Sequence, residues 1–82
     1  MSIPSVSIRQ VKAARSLLGW SQGDLAQASG VSIPTIKRLE AQDGDLGGRA
    51  STAAAILDAL QGAGVEFTNG DAPGVRMKGK NA

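Results

Sequence analysis

The chain has no cysteine and no histidine. The first absence excludes a disulfide framework, and the two together exclude a Cys/His zinc site. Without histidine the commonest general base is also gone. Aromatic residues are nearly missing: Trp20 and Phe67 stand alone, with no tyrosine. That leaves little for a base-stacking surface of the kind single-stranded nucleic acids need. No run of about 18 apolar residues exists, so no segment reads as a membrane span. Met1 to Val6 lacks a basic stretch followed by an apolar one and does not read as a secretory signal. A soluble cytoplasmic protein is the default expectation. Charge of one sign is also scarce. Nine Lys and Arg face seven Asp and Glu, for a formal net charge of +2. Where the charges lie therefore matters more than their sum. With 82 residues the chain makes one domain at most, with a modest core.

What is present is helical punctuation. Ser7 to Leu18 reads as a first helix, capped by Ser7 and ended by Gly19. Ile8, Val11, Ala14 and Leu18 recur on one face, and Arg15 is a polar intruder among them. Ser21 caps a second helix, with Asp24 three residues on as a short capping-box partner. Trp20 and Leu25 hold the two positions of a hydrophobic staple. This helix runs to about Ala28 and Gly30 breaks it. The pattern then repeats: Ser32 caps, Val31 and Ile36 staple, and Pro34 falls in the first turn, where its missing N–H is harmless. The third helix ends near Glu40 or Ala41.

Gln42 to Ala50 is rich in Gly and Asp and reads as a loop, with Leu46 as its core plug. Ser51 is expected to cap a fourth helix running to about Ala63. Its apolar face is Ala53, Ile56, Leu57 and Leu60. Val65 to Thr68 and Val75 to Lys78 alternate at period two around a turn-rich Asn69 to Gly74, which signals a β-hairpin. Gly79 to Ala82 should be loose. A lone hairpin is marginal in water, so residues 65–78 are expected to pack on the helices and to contribute to a twofold dimer.

Two short, capped and stapled helices so close together must cross steeply, and the second then projects. Such a helix fits the major groove of B-DNA, with its N-terminal residues at the base edges. Residues 15–40 carry the string S-Q-x-x-L-A-x-x-x-G-V-S-x-x-x-I-x-x-L-E from Ser21 to Glu40. This closely resembles the helix-turn-helix of the XRE family, the lambda-repressor and Cro-like regulators. The first and fourth helices also fall where that fold has them. The resemblance implies a mainly α, four-to-five-helix lambda-repressor-like DNA-binding domain. Residues 7–63 would form its helical part and residues 64–82 a C-terminal β-hairpin and tail.

The same resemblance assigns roles. Gln22, opening the bracing helix, would contact a phosphate. Ser32, Ile33, Pro34, Thr35, Lys37 and Arg38 would face DNA from the recognition helix. Family base readers match Ile33, Pro34 and Arg38. Here the chain departs, because Ile33 and Pro34 have no side-chain donor and can only touch thymine methyl groups. Polar reading then falls on Arg38, with Thr35 and Lys37 on phosphates. Arg15 and Glu40 match a pair that joins the first and third helices by a salt bridge.

The function so implied is a sequence-specific regulator of transcription. It would be a dimeric repressor of an inverted-repeat operator, often its own promoter, without cofactor or metal. The alternative is an antitoxin-type module that binds DNA and also neutralises a protein partner. An enzyme is not expected, since no paired acidic cluster joins the missing His and Cys. Plainer readings exist for single residues. Ala26, Val31, Ile36 and Leu39 hold the core, Trp20 is a staple, and Asp43 and Asp45 mark a turn rather than a calcium loop. The glycines near residues 62–74 lack the Lys-Ser/Thr of a phosphate loop.

Overall fold

The computed structural model describes residues 6–69 and 73–78. Within them the order is α1 (Ile8–Leu18), α2 (Gln22–Ser29), α3 (Ile33–Glu40), α4 (Ala50–Gly62), β1 (Val65–Thr68) and β2 (Gly74–Met77). Four helices are thus seen among the described residues, at the lower end of the expected four to five. The centre of the turn, residues 70–72, and the tail from Gly79 lie outside the described residues.

The caps explain the helix starts. The Ser7 hydroxyl accepts from the Gln10 amide N–H (3.1 Å), and the Gln10 side-chain oxygen accepts from the Ser7 N–H (2.9 Å). Ser21 and Asp24 make the same reciprocal pair at α2, at 3.0 and 2.9 Å. Each box satisfies two backbone donors that a helix start otherwise leaves open. The fourth helix corrects an expectation. Its cap residue is Arg49, with extended backbone and no side-chain cap bond, and Ser51 already lies inside the helix. A serine cap is worth only about 1 kcal/mol. The loop geometry outweighs it: Leu46 packs half-buried on the core, and the chain turns at Gly48 with φ of 81° before Arg49.

The core is Val6, Ile8, Val11, Ala14, Leu25, Ile36, Leu39, Ile56, Leu60 and Val65, drawn from every helix and from β1. Each fully buried Leu or Ile contributes about 2 kcal/mol. The α3–α4 loop is tied to the start of α1: Leu46 N–H donates to Val6 O (2.8 Å) and Ile8 N–H to Gly44 O (2.9 Å).

The hairpin is antiparallel, with Val65 opposite Met77 and Phe67 opposite Val75. These four side chains share one face. Val65 is buried, while Phe67 and Val75 are half-buried against the core. Glu66 and Arg76 form a 2.7 Å ion pair on the other face. Gln10 holds the end next to the turn: its amide nitrogen donates to Thr68 O (2.9 Å) and Gly74 O (3.0 Å). The hairpin therefore folds onto its own helices.

Candidate nucleic-acid interface

Gly30 makes the turn between α2 and α3. It has φ of 77°, a left-handed backbone that side chains disfavour, and its N–H donates to Ala26 O. Only Gly30, Val31 and Ser32 separate the two helices. Leu25, Ile36 and Leu39 are buried beneath them, and Trp20 and Val31 pack against that core. The outer surface of α3 is set by what remains. Ser32, Ile33, Pro34, Lys37 and Arg38 are exposed, and Thr35 is half-buried. Ile33 is 42% exposed. The Ser32 hydroxyl donates to Thr35 Oγ1 (2.9 Å) and accepts from the Thr35 N–H (3.4 Å), so the two hydroxyls hold each other at the helix start.

Behind this surface sits a charged network. Arg15 Nε donates to Glu40 Oε2 (2.8 Å) and Nη2 to Glu40 Oε1 (2.7 Å), a two-pronged pair. Arg15 Nη1 donates to Trp20 O (2.9 Å). Gln22 Nε2 donates to Glu40 Oε1 (3.0 Å). One guanidinium therefore links α1, the segment before α2 and the end of α3. Glu40 is 5% exposed and Arg15 19%. This explains why an arginine interrupts the apolar face of α1.

Burial pushes the Glu40 carboxyl up. The bonds from Arg15 and Gln22, with the charges of Arg15 and Lys12, outweigh burial and hold it below its ordinary value of 4.5. The bond to Glu40 raises the Arg15 guanidinium against the opposing effect of burial. The Glu40 shift carries a stability consequence. A carboxyl whose pKa is lowered by folding binds its proton more readily in the unfolded chain. Its stabilisation is therefore complete above 4.5 and is lost as pH falls through the folded-state value. In urea titrations from about pH 7 down to about pH 3, the stability gap between wild type and Glu40→Gln should narrow in the acid range. A gap independent of pH contradicts this.

Two flanks of α3 carry further cations. Arg38 and Thr35 face Arg49 and Thr52 across a groove of about 310 Å³ floored by Leu39 and Gly48. On the other side Lys12, Gln22 and Lys37 line a concavity of about 460 Å³, together with Arg15, Glu40 and Ala41. Of the six residues expected to face DNA, Ser32 caps α3 and the other five lie on it, and Gln22 lines the same concavity as Lys37. Lys12 and Arg49 were not marked by sequence. Lys12 lies on α1 and Arg49 caps α4, so only the tertiary fold brings them to α3.

The sequence profile of a helix-turn-helix family matches residues 11–62, more than half of the chain. The chain belongs to the XRE helix-turn-helix family. Residues 22–40 are thus the DNA-binding helix-turn-helix of an XRE-family domain. The matched span takes in most of α1 and all of α2, α3 and α4, while the hairpin lies beyond it. No curated protein matches this XRE-family chain. Among the described residues no helix is long and apolar enough to cross a membrane.

Proposed function

We propose that this XRE-family chain is a cytoplasmic, sequence-specific regulator of transcription. It binds an inverted-repeat operator as a homodimer and represses by occluding a promoter. The observation that carries this reading is the exposed outer surface of α3, where Ile33, Pro34, Lys37 and Arg38 project with no ion pair to either cation among the described residues. Arg38 suits a two-pronged contact to guanine, and Ile33 with Pro34 suits thymine methyl groups. An exposed isoleucine is reasonable where it meets an apolar base edge. Thr35 and Lys37 fall to the phosphates.

A half-site of a few base pairs supplies little affinity, which favours a dimer. The hairpin supports this part of the proposal. Val75 and Met77 lie on its second strand, and Met77 stays 43% exposed near the half-buried Phe67. Val65 belongs to the core, so a chain cut before it is a poor test. Met77→Glu is better: sedimentation equilibrium should show weaker self-association with unchanged melting. Undiminished self-association would place the dimer elsewhere.

The test of the whole reading is selection of bound duplexes from a random pool. The recovered sequences should converge on an inverted repeat with half-site centres about one helical turn apart. A pool that never converges contradicts sequence-specific recognition.

Gln22 gives a second prediction. One of its two amide protons is held by Glu40, which leaves the other for a phosphate oxygen. Gln22→Ala should weaken selected and random duplexes alike. The log–log salt slope should stay nearly unchanged, because glutamine carries no charge. A changed base preference would instead put Gln22 on a base edge.

A further inference from the structure

We infer that Gln10 is a positioning residue: it fixes the hairpin on α1, and so sets the distance between the two recognition helices of the dimer and the operator spacing that the dimer accepts. This rests on the dimer reading above, in which the hairpin contributes to the interface. Gln10 and Glu40 are the buried polar residues among the described residues, and Gln10 is 6% exposed. Its side-chain oxygen accepts from the Ser7 N–H (2.9 Å), and its nitrogen donates to Thr68 O (2.9 Å) and Gly74 O (3.0 Å). Two carbonyls on one side and an N–H on the other leave the amide one orientation. Both of its protons are used, one on each strand. Thr68 and Gly74 face each other in the strand pair nearest the turn. A two-stranded hairpin is marginal on its own, so what it is tied to decides where it sits.

The other end of the argument is Arg15, five residues further along α1. Five residues of helix are about 140° of rotation and about 7.5 Å of rise. Gln10 therefore turns to the hairpin while Arg15 turns to α3, where it holds Glu40 at 2.8 and 2.7 Å. The same helix packs against both β2 and α3. Hairpin and recognition helix are thus fastened to one rod by directional bonds, whereas apolar burial is non-directional and permits sliding. Where the hairpin meets its copy across the twofold axis, its seat on α1 fixes where each α3 points. Gln10 is too buried to reach a base and acts only through the hairpin. Gln10 and both strands also lie outside residues 11–62, so the span shared with the family contains neither side of this tie.

The test repeats the selection of duplexes from a random pool with the full chain as wild type, Gln10→Glu and Ser7→Ala. Gln10→Glu keeps the shape and an acceptor for the Ser7 N–H, but it loses both donors and sets a carboxylate oxygen against two carbonyls. Ser7→Ala removes the hydroxyl that caps α1 and leaves the bonds to the hairpin in place. Wild type should return one half-site at one spacing. Gln10→Glu should return the same half-site at a spread of spacings, and Ser7→Ala should keep the single spacing. One unchanged spacing in Gln10→Glu overturns the inference, as does an equal spread in Ser7→Ala, which would reflect a loosened α1 alone. Half-sites in no fixed arrangement from wild type would remove the dimer reading, and this inference with it. A second measurement needs no variant to fold. In the wild-type chain the Gln10 side-chain amide protons should exchange with solvent far more slowly than those of the exposed Gln27. Equal exchange would mean that the strands are not held by Gln10, and would overturn the inference.

Discussion

Glu40→Ala is expected to lower the unfolding free energy by about 3 kcal/mol, at the low end of the cost of breaking a buried ion pair. The reason is what the substitution leaves behind. Arg15 keeps its bond to the Trp20 carbonyl but loses both bonds to the carboxylate, and Gln22 loses its acceptor. The arginine is 19% exposed, so some of its charge can be rehydrated, which keeps the cost from the upper end. Replacing both partners by apolar residues, as in Arg15→Met with Glu40→Leu, should recover much of the loss, because no charge is then stranded. Urea melts of the three chains measure both effects. A near-neutral Glu40→Ala would show that the pair contributes little in solution.

Arg38→Ala should cost about 1–3 kcal/mol on a selected operator, roughly a fivefold to 150-fold loss of affinity. The loss on random duplex should be much smaller. Arg38 is exposed in the last turn of α3, lines the groove toward Arg49, and has no ion-pair partner among the described residues. With no side-chain hydrogen bond to hold it among the described residues either, its guanidinium can give both prongs to one guanine. Arg38→Lys should not restore discrimination, since an ammonium cannot match that planar geometry. Equal losses on both duplexes would reassign Arg38 to the phosphate backbone.

Most of the architecture is written in local signals. Ser7, Ser21 and Ser32 announce three helix starts, and alternation around residues 65–68 and 75–78 announces the hairpin. Each signal is short-range, so it survives without knowledge of the fold. The start of α4 is misread for the complementary reason: Ser51 has the cap preference, but the chain path through Leu46 and Gly48 decides where the helix begins. Ser7 is legible as a cap, but Gln10 is not marked: it completes the capping box, and its bonds to Thr68 and Gly74 span most of the chain. The Arg15–Glu40 pairing is visible in the sequence only through family resemblance. Periodicity marks Arg15 as misplaced without naming its partner. The bond from Gln22 to Glu40 and the meeting of Lys12 with Lys37 leave no local trace, since neither needs a particular neighbour in sequence.

The direct measurement is an amide chemical-shift titration of the full chain with its selected duplex. DNA binding through the exposed surface of α3 predicts the largest shifts at Gln22 and Gly23 and from Ser32 to Arg38. The hairpin residues Glu66 and Arg76, which pair on its outer face, should move little. Shifts confined to the hairpin, or none at α3 under saturating duplex, would contradict recognition through the third helix.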